Sequence, residues 1–115
     1  MLVKRTKFNS EIFLYVLALQ NGKYYVGITK NLRERFKKHS TGITCDFVKV
    51  NLPVEWYKVK LLKTSERSKA LAIETKKTLK LIRKHGFENV YGGIITGDFK
   101  RRKNIYNKLS QKGFH

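Results

Sequence analysis

Acidic residues are scarce in this chain, and their scarcity decides its charge. Only 8 of the 115 residues are Asp or Glu, against 26 Lys or Arg, so the formal net charge is +18. Such a field favours a polyanionic partner. An anionic membrane would also satisfy the charge, but a membrane binder of this size usually carries a long amphipathic or apolar segment, and none is visible. The charge therefore supports nucleic-acid binding, although a general excess of lysine would give the same balance.

Cysteine and long apolar segments are also rare. Cys45 is the only cysteine, which excludes an intrachain disulfide and a zinc site built from several thiolates. Residues 1–7 lack the apolar core of a secretory signal, and no segment approaches membrane-spanning length. We expect an intracellular protein, cytoplasmic or associated with the nucleoid or nucleus, with no membrane partner.

The length and the apolar content suit one folded domain. Hydrophobic residues make up 41% of the chain and aromatic residues 12%, which is typical of a globular fold. We predict a single domain over residues 1–97. The basic tail that follows, residues 98–115, is expected to form a short helix or to be partly disordered.

The first half of the chain predicts a hairpin followed by a helix. Residues 12–19 form an apolar run, and residues 24–28 form a second strand candidate. The Asn-Gly pair between them is a strong hairpin signal. Asn31 can cap a helix over residues 32–40, because its side chain can accept a hydrogen bond from an amide of the first turn.

The second half predicts one more strand and a long helix. Residues 43–53 look irregular, and the alternating residues 54–62 predict a third strand. Ser65 is the expected cap of a helix that runs from Glu66 to His85 and ends at Gly86. The order β-β-α-β-α predicts an α+β fold, with a small three-stranded, mainly antiparallel sheet flanked by helices.

Glu74 interrupts the apolar face of the predicted long helix. At 100° per residue it shares that face with apolar and small side chains, namely Ala70, Leu71, Thr78, Leu81 and Ile82. A carboxylate in this position is either paired with a nearby lysine or serves as a metal ligand facing the sheet. The helical periodicity does not decide between the two.

On the shorter helix, Arg35 and His39 lie one turn apart. They share an edge with Leu32 and Phe36, whereas Arg33 points elsewhere. Arg35 and His39 are therefore better candidates than Arg33 for contact with the sheet. The alternative is an ordinary basic helix whose aliphatic stems cover the core.

Six positions together give a recognisable pattern. Two triplets, Phe13-Leu14-Tyr15 and Tyr25-Val26-Gly27, place their tyrosines ten positions apart, and Arg35, His39, Glu74 and Asn89 follow in order. In this order and spacing, residues 12–95 resemble the GIY-YIG nuclease domain. The first triplet departs from the pattern because its glycine is absent, but no catalytic side chain is lost.

The resemblance implies a divalent-metal-dependent endonuclease that hydrolyses DNA. It implies that Glu74 holds Mg²⁺ or Mn²⁺ and that Arg35 clamps a phosphate oxygen. Tyr15, Tyr25 and His39 would surround the attacking water, and Asn89 would position the site. His39, with an ordinary pKa near ~6.5, is chemically the easier general base, whereas the resemblance favours a tyrosine with a pKa near ~10. Both assignments stay open.

DNA is the partner that the resemblance implies. We expect basic residues in three segments to contact it, namely Lys30, Arg33, Lys38, Lys100, Arg101, Arg102 and Lys103. Sequence preference would come from the tail, from the loop at 43–53, or from a partner protein or homodimer. The main alternative is an inactive nucleic-acid-binding module of the same fold. A basic protein of an RNA-containing particle would explain the charge but not Glu74.

Tyr15 and Tyr25 can share one site only if the loop of the hairpin has a suitable length. A two-residue turn would place the two tyrosines on opposite faces of the sheet, because side chains alternate along a strand. A three-residue loop, residues 20–22, pairs Tyr15 with Gly27 and returns both tyrosines to one face. We predict this longer loop, with Gly22 in a left-handed conformation and with Tyr15 and Tyr25 facing the same side as Arg35 and Glu74.

Overall fold

The computed structural model describes residues 11–42 and 44–111. In chain order the strands and α-helices of this part are β1 (Phe13–Leu19), β2 (Tyr24–Thr29), α1 (Leu32–Ser40), α2 (Asp46–Val50), β3 (Pro53–Leu61), α3 (Arg67–His85), β4 (Val90–Gly92) and α4 (Phe99–Gln111). A single 3₁₀ turn, Gln20–Gly22, connects β1 to β2, and another, Phe87–Asn89, connects α3 to β4. No helix in these two ranges is long and apolar enough to cross a membrane.

The strands form one mixed sheet in the order β3-β1-β2-β4. Strand β1 is antiparallel to β2 and to β3, whereas β4 runs parallel to β2. The α+β class is confirmed, but the predicted number of strands was wrong, since there are four rather than three. Strand β4 has only three residues, too few to show the alternation by which a strand is recognised.

The hairpin has the predicted three-residue loop. Tyr15 pairs with Gly27 and Leu17 pairs with Tyr25, so this register is confirmed. Within the loop both Asn21 (φ 63°) and Gly22 (φ 68°) are left-handed. The two residue types that tolerate this conformation best therefore stand side by side at the turn.

The two faces of the sheet carry separate cores. Leu14 and Val16 of β1, with residues of β2, pack against the buried side of α3. Tyr15 and Leu17 point to the opposite face, where they meet Val48 of α2. Alternation along β1 thus assigns α3 to one face and the two shorter helices to the other.

The helix ends agree with the sequence in part. The Asn31 side chain accepts a hydrogen bond of 3.0 Å from the Glu34 amide, and Gly86, with φ 100°, ends α3. The predicted Ser65 cap was wrong, because α3 begins at Arg67 and has no side-chain cap. Helix α2 also lies within the segment expected to be irregular; its five residues are too few to show a helical period.

Arg102 holds α4 against the rest of the fold. Its side chain is 5% exposed, and its guanidinium donates hydrogen bonds to the carbonyls of Phe87, Val90 and Ile95. This position corrects the expectation that Arg102 contacts DNA, because a guanidinium committed to interior carbonyls does not reach a phosphate outside. The expected helix in the tail is present as α4.

Arg102→Ala is expected to lower the unfolding free energy by about 3 kcal/mol, because it leaves buried carbonyls without donors. Urea denaturation followed by circular dichroism measures the loss. Lys100→Ala, an exposed position on the same helix, is the control and should change stability by less than about 0.5 kcal/mol. Equal losses for the two variants would contradict the structural role of Arg102.

Candidate active site

Tyr15 and His39 form a buried hydrogen-bonded pair. The Tyr15 hydroxyl lies 2.9 Å from Nε2 of His39, and Nδ1 of His39 lies 2.6 Å from Oγ1 of Thr44. Tyr15 is 1% exposed and His39 2%. Strand β1 supplies the tyrosine, the last turn of α1 supplies the histidine, and Thr44 lies between α1 and α2.

Burial keeps the imidazole neutral. Desolvation, helped by the positive charge of Arg35, lowers the pKa of His39 to about 4. A neutral imidazole has one donor and one acceptor nitrogen. When Nδ1 donates to Thr44, Nε2 is free to accept the proton of the Tyr15 hydroxyl.

Tyr25 lies beside this pair on the same face of the sheet. Its ring centroid is 6.1 Å from that of Tyr15 and 4.7 Å from that of His39. Burial raises the pKa of Tyr25 to about 12, and burial also raises the pKa of Tyr15. Both phenols are therefore protonated donors at neutral pH.

Gly27 makes room for the Tyr15 hydroxyl. A Cβ at position 27 would lie 2.5 Å from the hydroxyl oxygen and 2.6 Å from Cζ of the Tyr15 ring. The Tyr15 ring passes over strand β2 at Gly27, which has no side chain to block it. Steric contact with Tyr15 thus explains why the second triplet ends in glycine.

Glu74 carries a buried carboxylate on α3. The residue is 6% exposed, and burial raises the pKa of its carboxyl to about 7, against the Gly93 amide and the charges of Arg67 and Arg35. The two ion pairs among residues 11–42 and 44–111 join Glu34 with Lys38 and Glu66 with Lys69. The expected alternative, a lysine partner for Glu74, is therefore not found there.

Arg35 lines a cationic cleft between the ends of β1 and β2 and the start of α3. The cleft has a volume of about 240 Å³, and its polar lining comes from Thr29, Lys30, Arg35, Ser65 and Arg67. The charge of Arg35 acts on the pKa values of Tyr15, Tyr25, His39 and Glu74. A cleft with three cations and two hydroxyls is suited to an anion such as a phosphate.

Tyr15, Tyr25 and His39 thus contact one another on one face of the sheet. The charge of Arg35 acts on these three groups and on Glu74, whose helix α3 packs on the other face.

Asn89 is the sixth predicted catalytic residue, and its side chain instead donates to the His85 carbonyl at 2.7 Å and accepts from Nζ of Lys23 at 2.9 Å. These bonds tie the end of α3 to the hairpin.

Arg67 is a site residue that sequence reasoning missed. It precedes Glu74 by seven residues, or two helical turns, and so lies on the same face of α3. That spacing was visible in the sequence.

The predicted basic contacts lie mostly at the surface. Lys30 lines the cleft, Arg33 and Lys38 are exposed on α1, and Lys100, Arg101 and Lys103 are exposed on α4. Nζ of Lys38 lies 3.6 Å from Glu34, a solvent-exposed pair that leaves the lysine available.

A metal ion would find one protein carboxylate here. No group of three or more His, Cys, Asp or Glu side chains that could hold a metal occurs in the described ranges, and Glu74 is the one carboxylate among the predicted site residues. This donor set fits Mg²⁺, which binds through one or two carboxylates, keeps several waters and shares oxygens with a phosphate. It does not fit zinc, which prefers three or four nitrogen and sulfur ligands.

Residues 11–86 match the family model described as the GIY-YIG catalytic domain. This match covers well over half of the chain, which therefore belongs to the GIY-YIG family. Membership points to a nuclease-type hydrolase with a nucleic-acid substrate.

Curated relatives are similar over parts of their length. A UPF0213 protein of Xanthomonas axonopodis pv. citri is 43% identical over 42 residues, which are 36% of this chain and 41% of that protein. A UPF0213 protein of Listeria monocytogenes serovar 1/2a is 38% identical over 64 residues, 55% of this chain and 71% of that protein. The chain thus spans about two fifths of the Xanthomonas relative. No solved structure matches the chain.

The burial of His39 predicts a pH-dependent stability. An unfolded histidine takes up its proton near pH ~6.5, whereas His39 in the folded state does so only near pH 4. Its contribution is therefore complete above pH ~6.5 and is lost as the pH falls towards 4. His39→Gln removes this proton uptake, so the destabilisation that it causes should shrink by about 2 kcal/mol between pH ~7.5 and pH ~4.5.

Urea denaturation of the wild-type protein and of His39→Gln at both pH values measures the effect. A destabilisation that is the same at the two pH values would show that His39 titrates normally in the folded protein.

Proposed function

We propose that this protein is a divalent-metal-dependent endonuclease that hydrolyses phosphodiester bonds in DNA. The observation that carries the proposal is the buried Glu74 carboxylate, which has no ion pair within the described ranges and on which the charges of two arginines of the cleft, Arg67 and Arg35, act. A carboxylate is a costly group to bury unless a cation or a reaction uses it. The +18 charge supports a polyanionic substrate.

Arg35 binds the scissile phosphate in this mechanism. Its planar guanidinium offers paired donors and stays charged at any working pH. Lys30 and Arg67, which line the same cleft, add positive charge where negative charge develops on the phosphorus oxygens. Stabilisation of developing charge usually accounts for more of an enzyme's rate enhancement than any other single effect.

Tyr15 and His39 act together as the proton acceptor. Both nitrogens of His39 are engaged in hydrogen bonds, so the imidazole receives the proton through Tyr15 rather than directly from water. The Tyr15 oxygen accepts a proton from the attacking water while its own proton passes to Nε2 of His39. The product is an imidazolium that still donates from Nδ1 to Thr44. Tyr25 flanks the water and orients it.

Glu74 is the residue that would hold Mg²⁺ or Mn²⁺. The ion, when bound, supplies Lewis-acid stabilisation of the phosphate and of the departing 3′ oxygen. Because the pKa of the Glu74 carboxyl is about 7, the carboxylate needed for binding predominates above neutral pH. We propose that Asn89 supports the site by tying the end of α3 to the hairpin.

The surrounding basic side chains hold the DNA backbone. Lys30 lines the cleft, Arg33 and Lys38 are exposed on the same helix as Arg35, and Lys100, Arg101 and Lys103 are exposed on α4. Phosphate contacts of this kind position a duplex without reading its sequence. Any sequence preference comes from α4, from the segment around α2, or from a partner protein or second copy.

Glu74→Gln is expected to lower DNA cleavage about a thousandfold or more, since a bound ion supplies several kcal/mol of transition-state stabilisation. Binding should be retained, because the substitution removes a negative charge. Plasmid nicking with Mg²⁺ measures cleavage, and fluorescence anisotropy with a labelled duplex measures binding.

Glu66→Gln, an exposed glutamate just before α3, is the matched control and should cleave like the wild type. Cleavage by Glu74→Gln at the rate of the control would contradict the proposal that Glu74 holds the metal ion. Binding without cleavage in the wild-type protein would identify a non-catalytic module.

Arg35→Ala should reduce turnover about a hundredfold more than Arg33→Ala, a magnitude expected for one lost donor to a developing charge. The two arginines are exposed neighbours on α1, but only Arg35 lines the cleft. Single-turnover cleavage rates at saturating protein separate this effect from binding. Similar losses in the two variants would show that both act only through general charge.

A further inference from the structure

Five lysines line a groove between β3 and α3. The groove has a volume of about 260 Å³. Lys58 and Lys60 form the wall on β3, and Lys76, Lys77 and Lys80 form the wall on α3, above a floor of Leu14 and Ile73. We call these five residues the lysine groove.

The lysine groove lies on the other face of the sheet from the tyrosines. Lys60 pairs with Leu14 and Lys58 pairs with Val16, and side chains of directly paired residues point to the same face. Leu14 and Val16 belong to the core against α3, whereas Tyr15 belongs to the opposite core. The groove also shares no lining residue with the cleft of Arg35, so the two are separate surfaces.

The charges in the lysine groove have no acidic partners within residues 11–42 and 44–111. Both ion pairs of these ranges lie elsewhere, and Glu55, the one acidic residue of β3, is in neither. Burial, together with the charges of Lys58, Lys80 and Lys84, lowers the pKa of Lys77. Gathering like charges costs free energy that a bound anion would recover.

The chemistry of the groove favours a phosphate backbone. Lys58 and Lys60 project from an extended strand at a spacing of about 7 Å, and three more ammonium groups follow one turn of α3. Ammonium groups bind phosphate as point charges, and the lining contains no aromatic or guanidinium group that would read a base. The two-residue aliphatic floor is too small for an amphipathic membrane contact.

We propose that the lysine groove binds a second segment of duplex DNA, so that one molecule holds one segment at the cleft of Arg35 and another at the groove. The proposal rests on the proposed function for the identity of its partner. The groove has no catalytic role in this proposal and contacts only the phosphate backbone of the DNA.

Energy transfer between a donor-labelled and an acceptor-labelled short duplex tests the proposal, with the full chain in EDTA so that no cleavage occurs. The wild-type protein should bring the two duplexes together. The triple variant Lys58→Gln/Lys77→Gln/Lys80→Gln should lose this signal at physiological salt but keep binding to one duplex. The dependence of log affinity on log salt for the second duplex should become shallower by about 3.

Lys49→Gln/Lys63→Gln/Lys69→Gln is the control, because it removes the same charge from three exposed positions outside the groove. It should bridge the duplexes like the wild type. Circular dichroism of both triple variants excludes unfolding as the cause, and sedimentation reports the number of copies in each complex.

Equal bridging by the two triple variants, or no bridging by the wild type, would overturn the proposal. Persistent bridging in the groove variant would mean that two copies each hold one duplex. Loss of binding to phosphatidylserine vesicles, with bridging unchanged, would assign the groove to a membrane and also overturn it. Since the assay needs no cleavage, a protein that bridges but does not cleave with Mg²⁺ would refute the proposed function alone.

Discussion

The three-residue turn at Gln20–Gly22 is the constraint on which the tyrosine pair depends. A turn shorter by one residue would shift the β1–β2 register and move Tyr25 to the face packed by α3. The observed register instead puts Tyr15 opposite Gly27, where a Cβ would lie within 3 Å of the Tyr15 hydroxyl. Turn length, glycine position and tyrosine spacing therefore specify a single arrangement, and a change in any one of them disturbs the other two.

Helix α3 explains how a carboxylate avoids a lysine partner in a chain with 26 basic residues. Glu74 lies on the buried side of the helix, whereas Lys76, Lys77 and Lys80 point into the groove beside β3. The rotation of 100° per residue keeps most lysines of the same helix away from the carboxylate. The pKa of Glu74 is consequently governed by burial and by arginines at the cleft rather than by a direct lysine partner.

Sequence reasoning succeeded where the local pattern matched the final contacts. The hairpin, the Asn31 cap and the buried position of Glu74 all follow from period and turn chemistry acting within one element. It missed β4 and α2, which are too short to show a period, and Arg102, whose burial depends on carbonyls from three distant segments. Contacts between elements, such as His39 with Thr44, were equally invisible in a single sequence, whereas Arg67 was overlooked although its spacing to Glu74 was plain.

The two faces of the sheet differ in how they arrange charge. On the tyrosine face, burial makes each polar group costly, so the groups there are few, neutral or specifically oriented, and the charge of Arg35 acts on Tyr15, Tyr25 and His39. On the other face, the lysine groove is open and its ammonium groups repel one another. The first arrangement suits a reaction at one phosphate, whereas the second suits attraction of many. Helix α3 contributes Arg67 to the cleft and three lysines to the groove, so a phosphate in the cleft and an anion in the groove would both contact the same helix.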